Sequence, residues 1–167
     1  MGSLFEKESI RKEDEEEALE KEFKQLKECP ELPINNCEYV NNDKRHWKIV
    51  FEGSKYSPYE NGFFTLELLF NKGTFPKYGP EAKFITKMFH PNIDTDGHVC
   101  INHLNSWDPT ISITSVIFGI LEILDNPIAC GGYSNEAKKL LETDEEQYYK
   151  KVEEYTLTYA KKPININ

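Results

Sequence analysis

Apolar residues recur along the chain with two different periods, and the first of these periods is helical. In the Glu- and Lys-rich segment 6–28, Leu19, Phe23 and Leu26 lie four and three residues apart. This spacing predicts an amphipathic helix, and Pro30 predicts its end. The run of charged residues is interpreted as the solvated face of that helix.

The second period is two residues, which is typical of strands with one buried face. Apolar residues alternate with other residues over 47–52 and again over 63–70, and a turn-forming segment at 57–62 separates the two runs. Segments 37–41 and 82–86 are weaker strand candidates. Because the connections between these segments are short, neighbouring strands are predicted to be antiparallel.

Beyond the strands, periodicity is lost over 87–110, which predicts a long loop of the kind that often carries function. Helical spacing then returns. Ser112 or Thr114 is a candidate N-cap for one helix, Ser134 begins another, and 144–161 form the last. The last helix is predicted to bury one stripe, formed by Tyr148, Val152, Tyr155 and Tyr159.

This order of elements predicts an α+β domain. It has an N-terminal helix, a four-stranded antiparallel meander, a crossover helix and two C-terminal helices. The single domain is expected to span residues 12–162. It follows an acidic extension (1–11) that is flexible or left over from cloning, and a short tail (163–167) ends the chain.

Charge and cysteine spacing narrow the classes of function. The net charge of -9 argues against nucleic acid or an anionic membrane as partner, and no apolar run is long enough to span a bilayer. The start of the chain does not resemble a secretory signal, so a cytoplasmic location, with the nucleus as a second compartment, is expected. The four cysteines have no metal-ligand or disulfide-type spacing, which predicts reduced thiols and no metal site: Cys29, Cys37, Cys100 and Cys130.

Candidate chemistry is concentrated between residues 90 and 101. A thiol such as that of Cys100 can carry an acyl group as a thioester, and an amide such as that of Asn92 can donate hydrogen bonds to an oxyanion. The turn before Cys100 favours exposure, although a buried structural cysteine is the ordinary alternative. Cationic neighbours lower the pKa of a thiol, but the charged residues close to Cys100 in sequence are the acidic Asp94 and Asp96. The thiol is therefore not expected to be an activated thiolate, and we expect it to accept an already activated acyl group.

A cysteine hydrolase is a second possibility from the residues alone. It would require His90, His98 or His103 to form a hydrogen bond with Cys100 and to be oriented by a third group. Proximity in sequence does not establish such a pair, so this alternative is the weaker one.

Several short motifs occur in a fixed order along the chain. They are 19–26 in the first helix, 57–63, Phe75-Pro76 with Pro80, His90-Pro91-Asn92-Ile93, Gly97-His98-Val99-Cys100, Trp107 with Pro109, and Asp125-Asn126-Pro127. His-Pro-Asn ending eight residues before the cysteine, with a tryptophan seven residues after it, is a specific combination. On these motifs the chain resembles ubiquitin-conjugating enzymes over nearly its whole length.

The resemblance implies a mechanism. Cys100 would receive ubiquitin or a ubiquitin-like modifier from an activating enzyme as a thioester and pass it to a substrate lysine, usually with a ligase. Asn92 would stabilise the oxyanion or hold the loop, and His90 and Pro91 would shape the turn. No cofactor, metal or ATP site is implied, because the activating enzyme consumes the ATP, and we expect a monomer.

The same resemblance assigns surfaces and exposes departures. Lys21 and Lys24 would contact the activating enzyme, although the usual basic pair is replaced by Glu17-Ala18, and Lys77 and Pro109 would contact the ligase. These departures favour a dedicated set of partners. They also leave open a non-catalytic module of the same fold that binds a modifier or a catalytic partner.

In the family that the chain resembles, an acidic residue in the loop after the crossover helix often helps to deprotonate the incoming lysine, and this chain lacks it there. Gly131 stands about where it would be, within the carboxylate-free segment 128–132. A missing acid should slow aminolysis, because an ordinary lysine is protonated at neutral pH. Asp108 and Glu136 are the candidate substitutes.

Overall fold

The computed structural model describes residues 12–128 and 134–164, and its architecture is α+β. In chain order the elements are α1 (Lys12–Lys27), β1 (Ile34–Tyr39), β2 (His46–Glu52), β3 (Phe63–Leu69), β4 (Glu81–Phe84), α2 (Asn102–Asn105), α3 (Ile113–Asp125), α4 (Asn135–Thr143) and α5 (Glu145–Tyr159). The predicted fold class is confirmed. Residues 6–11 of the predicted first helix and the extension 1–11 lie outside the described residues.

The four strands form an antiparallel meander in the order β1-β2-β3-β4. Trp47 pairs with Leu68 and Ile49 with Leu66, and all four of these side chains are fully buried. Leu69 belongs to the opposite face of β3 and is 45% exposed. The alternation of apolar residues therefore reflects burial of one face of the sheet, as the sequence indicated.

Helices α1 and α3 contribute the other side of this core. Leu19 and Leu26 of α1 and Val116 and Ile120 of α3 are each 0% exposed. Ser112, one of the two predicted caps, is the N-cap of α3, and its hydroxyl accepts a hydrogen bond from the backbone N–H of Ser115. The hydroxyl supplies a partner for a backbone donor that the first turn of a helix cannot satisfy.

Two carboxylates of α1 are also bonded to the backbone of other segments. Glu15, only 2% exposed, accepts hydrogen bonds from the backbone N–H groups of Thr74 (3.0 Å) and Phe75 (3.3 Å). Glu22 accepts one from the N–H of Ile113, the first residue of α3, at 2.8 Å. Helix α1 therefore fixes the β3–β4 loop and the start of α3 through hydrogen bonds as well as through apolar packing.

The predicted stripe of α5 is partly wrong. Tyr148, Val152 and Thr156 form the buried face, whereas Tyr155 is half-buried and Tyr159 is 43% exposed. Tyr155 and Tyr159 both lie at the flank of the buried face, where their rings pack against each other with centroids 5.3 Å apart. None of the helices in the described parts of the chain combines the length and apolar character that a membrane span requires.

Candidate active site

Asn92 and Cys100 face each other across a short hairpin. The backbone N–H of Cys100 donates to the carbonyl of Asn92 at 2.9 Å, and the N–H of Asp94 donates to the carbonyl of His98 at 3.1 Å. The chain reverses at Gly97, which has a φ of +94°. Eight residues of separation in sequence thus become direct adjacency in space.

The hairpin is attached to the edge strand β4. The N–H of Phe84 donates to the carbonyl of Gly97 at 2.8 Å, and the N–H of Val99 donates to the carbonyl of Ala82 at 3.1 Å. A Cβ at position 97 would lie 2.1 Å from the Phe84 carbonyl oxygen. Positive φ and close backbone approach together require glycine here.

The turn of the hairpin is held by Asp94. Its Oδ1 accepts hydrogen bonds from the N–H groups of Asp96 (2.9 Å) and His98 (2.8 Å), and its Oδ2 lies 3.0 Å from His98 Nδ1. Burial alone raises the pKa of Asp94, but the hydrogen bonds from His98 outweigh it and the net pKa is lowered. Asp94, Asp96 and His98 place ligand atoms within 4.8 Å of one another, and their bonds to the turn account for that arrangement.

His90 holds the base of the hairpin from inside the protein. It is 1% exposed; its Nε2 lies 2.8 Å from the carbonyl of Ile123, and its Nδ1 accepts from the N–H of Asn92 at 3.0 Å. Burial lowers its pKa to about 4, although the bond to Ile123 opposes this shift. The ring is therefore neutral at pH 7, with the proton assigned to Nε2 because a carbonyl can only accept.

The thiol of Cys100 is half-buried and lines a cleft of about 440 Å³. Asn105, at the end of α2, donates a hydrogen bond from Nδ2 to Sγ at 3.3 Å. The cleft is lined by Asn92, Cys100, Ile101, Asn102, His103, Asn105, Gly119, Glu122, Ile123, Asn126 and Ile128. Cys100 and Asn92, the two residues predicted to carry the chemistry, therefore line the same concave surface.

The side-chain amide of Asn92 is held in place by a hydrogen bond that its oxygen accepts. Asn92 is 5% exposed, and its Oδ1 accepts a hydrogen bond from the N–H of Ile128 at 3.3 Å. With the oxygen engaged, Nδ2 is the atom of the amide that can donate a hydrogen bond. The geometry thus joins both predicted roles of this residue, because one end of the amide holds the segment after α3 while the other end remains a donor.

Two polar cleft residues were missed in the sequence, Asn105 and Glu122. Asn105 belongs to α2, a single turn inside the predicted loop 87–110, and four residues are too few to produce a helical period. Glu122 lies on the exposed side of α3, where a charged residue is ordinary. The packing of α2 against α3 brings these two side chains into the same cleft.

The predicted acid substitutes lie elsewhere in the structure. Asp108 Oδ1 accepts from the N–H of Thr110 at 2.8 Å and from its hydroxyl, and these bonds lower the pKa of Asp108. Glu136 forms an ion pair with Lys151. Neither lines the cleft, and Gly131 lies outside the described residues, so the compensation for the missing acid stays a prediction.

The predicted partner contacts are exposed on two neighbouring surfaces. Lys21 and Lys24 lie on α1, and Lys77 and Pro109 on the loops after β3 and after α2. Trp107 joins these two loops by donating from Nε1 to the carbonyl of Pro76 at 2.9 Å. Pro91 is buried, and its carbonyl accepts from the N–H of Ser134 at 3.3 Å. The contact roles themselves stay predictions.

Comparison with known proteins identifies the family. The family model for ubiquitin-conjugating enzymes matches residues 18–156. The chain is 32% identical over 137 residues to ubiquitin-conjugating enzyme E2 1 of Caenorhabditis elegans, covering 81% of this chain and 70% of the relative. It is 33% identical over 143 residues to ubiquitin-conjugating enzyme E2 13 of Saccharomyces cerevisiae, covering 85% and 92% respectively.

The fold gives the same result. The E2 domain of a Toxoplasma gondii ubiquitin conjugating enzyme superposes with a TM-score of 0.78 at 27% identity, covering 88% of this chain and all of that domain. The α+β domain with a thiol at the edge of its sheet therefore belongs to the ubiquitin-conjugating enzyme family.

Proposed function

We propose that this protein carries ubiquitin or a ubiquitin-like modifier as a thioester on Cys100 and transfers it to lysine amines. The observation that carries the proposal is the placement of the Cys100 thiol and the Asn92 amide in one cleft of about 440 Å³. A cleft beside the sulfur leaves room for an extended peptide terminus to reach it. Family membership supports the same activity.

Loading exchanges one thioester for another. The Cys100 sulfur, as thiolate, attacks the carbonyl carbon of the modifier's thioester on the activating enzyme, and that enzyme's sulfur leaves with the electron pair. Discharge follows when a lysine nitrogen attacks the same carbon, the C–S bond breaks and the amine releases a proton. Both steps pass through an oxyanion, towards which the Nδ2 of Asn92 is the proposed donor.

The partners follow from this chemistry. An ATP-consuming activating enzyme supplies the acyl group, a ligase holds the substrate near the cleft, and the acceptor is a lysine amine. The thioester provides the driving force, so the proposal requires neither metal nor cofactor. The exposed Lys21, Lys24, Lys77 and Pro109 are the proposed contacts with the first two partners.

Loading can be tested with ATP, a panel of activating enzymes and their modifiers, followed by gels with and without reductant. We expect an adduct that reductant removes. Cys100→Ala abolishes it, and Cys100→Ser gives a reductant-resistant ester instead. Cys29→Ala, which changes a half-exposed thiol bonded only to nearby Glu31 among the described contacts, is the matched control and loads normally.

The two roles of Asn92 can be separated by two variants. Asn92→Ala removes both the donor and the acceptor, whereas Asn92→Asp keeps an acceptor oxygen for Ile128 and removes the donor. If oxyanion stabilisation dominates, both lower the rate of discharge to free lysine by about 10²- to 10³-fold. A nearly normal rate in Asn92→Asp alone would assign the residue to loop positioning.

Failure of loading has a specific meaning. Absence of an adduct with every modifier, together with measurable binding to one of them, would overturn the carrier proposal and favour the non-catalytic module. Release of product from a simple ester without ATP would favour the cysteine hydrolase.

A further inference from the structure

The short helix α2 places the side-chain amide of Asn105 beside the sulfur of Cys100, and none of the sequence motifs includes this residue. Nδ2 of Asn105 lies 3.3 Å from Sγ, within the range of a hydrogen bond to sulfur. Asn105 is exposed, so its side chain is not forced into this position by burial. Asn105 follows Cys100 by five residues, and the single helical turn of α2 between them brings the two side chains together.

The backbone of α2 holds Asn105 in that position. The N–H groups of Leu104 and Asn105 both donate to the carbonyl of Ile101, at 3.2 and 3.0 Å. Ile101 directly follows Cys100 and is 5% exposed, so its side chain anchors the turn in the core. The donor and the sulfur are therefore fixed to the same buried residue.

Helix α2 also packs closely against α3. A Cβ at Gly119 of α3 would lie 2.8 Å from the ring of His103 and 3.6 Å from the side chain of Ile101. The absence of a side chain at Gly119 thus allows α2 to lie directly on α3. With the backbone of the turn held there, only the side-chain torsions of Asn105 remain to be ordered when its amide approaches the sulfur.

We infer that Asn105 is a further catalytic residue of this site, whose amide N–H stabilises negative charge on the Cys100 sulfur. The inference rests on the proposed carrier function for its biological meaning. Sulfur bears charge when it attacks as a thiolate during loading and again when it leaves with the C–S electron pair during discharge. A hydrogen bond to a charged acceptor is stronger than one to a neutral acceptor, so the contact assists both steps.

The inference is tested on the protein alone, by the rate of alkylation of Cys100 with iodoacetamide between pH 6 and 10, resolved by peptide mass spectrometry. Asn105→Ala should slow alkylation at pH 7 by about 3- to 10-fold, the factor of one net hydrogen bond. The rates should converge at high pH, where the thiol is fully ionised. Asn105→Asp, which sets a carboxylate beside the sulfur, should be slower still at pH 7.

Ser106→Ala is the matched control, because Ser106 follows Asn105 in the chain and is exposed without lining the cleft. Its profile should coincide with that of the wild type. An Asn105→Ala profile that coincides with the wild type overturns the inference. A profile that is slower by the same factor at every pH also overturns it, since altered access rather than charge stabilisation would then explain the effect.

The outcome is separable from that of the loading experiment. If no modifier loads but the alkylation profile shifts as expected, the carrier function fails while the role of Asn105 towards sulfur stands. If loading succeeds and the profile does not shift, only the role of Asn105 is lost.

Discussion

Two cysteines in this chain occupy regions that are built by different forces. Cys37 lies in β1, paired with Ile49 of β2, and is 4% exposed within the apolar core. Cys100 ends a hairpin at the edge of the sheet and is half-buried beside a cleft. Burial raises the pKa of Cys37 from 9.0 to about 12, whereas the Sγ of Cys100 accepts an amide hydrogen bond.

The comparison shows that the surroundings of a cysteine determine whether its thiol can react. In the sheet, position is determined by burial of alternate residues, and the thiol is one more apolar group. In the hairpin, backbone N–H groups also donate hydrogen bonds to the side chains of His90, Asp94 and Asn92, and these bonds help to determine its position. The buried side chains of Ile93 and Val99 anchor the hairpin in the core, and the polar contacts hold the rest of it, so Cys100 can stay partly exposed without losing its position.

The largest expected effect is on thiol reactivity. A rise of the pKa from 9.0 to about 12 leaves about a thousandfold less thiolate on Cys37 at pH 8. In the native protein we expect iodoacetamide to modify Cys100 at least about a thousandfold faster than Cys37, as measured by peptide mass spectrometry.

Denaturant provides the control, because in 6 M guanidinium, about the concentration that unfolds most domains, the two cysteines should react at similar rates. Comparable labelling of both in the native protein would contradict the contrast between the two regions.

The second prediction concerns acid. The pKa of His90 is lowered from 6.5 to about 4 in the folded protein, so the unfolded chain takes up this proton first as the pH falls. The contribution of neutral His90 to the free energy of unfolding is fully present above pH 6.5 and is lost as the pH falls to about 4. The shift corresponds to about 3 kcal/mol. Urea unfolding at a series of pH values measures it.

His90→Gln should remove this part of the pH dependence, whereas His103→Gln should retain it. The difference between the two variants isolates His90 from carboxylates that titrate near pH 4. Equal slopes between pH 6.5 and 4 would show that the hairpin does not depend on a neutral imidazole.

The third and smallest effect tests whether a polar contact also holds a segment in the apolar region, where Glu15 of α1 binds the β3–β4 loop. Glu15→Ala leaves the N–H groups of half-buried Thr74 and buried Phe75 without their carboxylate partner and should lower the free energy of unfolding by about 2 kcal/mol. Glu15→Gln keeps an acceptor oxygen and should cost about half as much. Chemical denaturation monitored by tryptophan fluorescence gives both values.

Glu20→Ala is the control, because Glu20 pairs with Lys44 at the surface and is about half exposed. Exposed ion pairs contribute little, so its effect should be clearly smaller than that of Glu15→Ala. If the two effects were equal, the connection from α1 to the β3–β4 loop would be no more than a surface contact.

The core could be predicted from the sequence because burial leaves a periodic trace. The alternation over 63–70 gave the inward face of β3, and Leu19, Phe23 and Leu26 gave that of α1. The pattern misleads where an apolar residue flanks the buried face, as Tyr159 does in α5, and it is absent where an element is too short to repeat, as in α2. Strand β1 begins three residues earlier than predicted, at Ile34, where the pairing with β2 is irregular.

The site could be predicted only in part. Cys100 and Asn92 were identified as chemical groups, and their adjacency was left to the fold. The bond from His90 to the carbonyl of Ile123 spans 33 residues, and the contact of α2 with α3 depends on the missing side chain of Gly119. Such long-range polar contacts have no local period, so a single sequence carries no sign of them.

The attachment of the hairpin to β4 has a consequence for solubility. The outermost strand of a sheet presents unpaired backbone groups on which other chains can add strands and aggregate. Here Gly97 and Val99 occupy those groups of β4, so the segment that presents the thiol also shields the sheet. Replacing Gly97 would force the hairpin away from Phe84 and expose backbone groups on which other chains could add strands. The geometry of the candidate active site and resistance to aggregation therefore depend on the same residue.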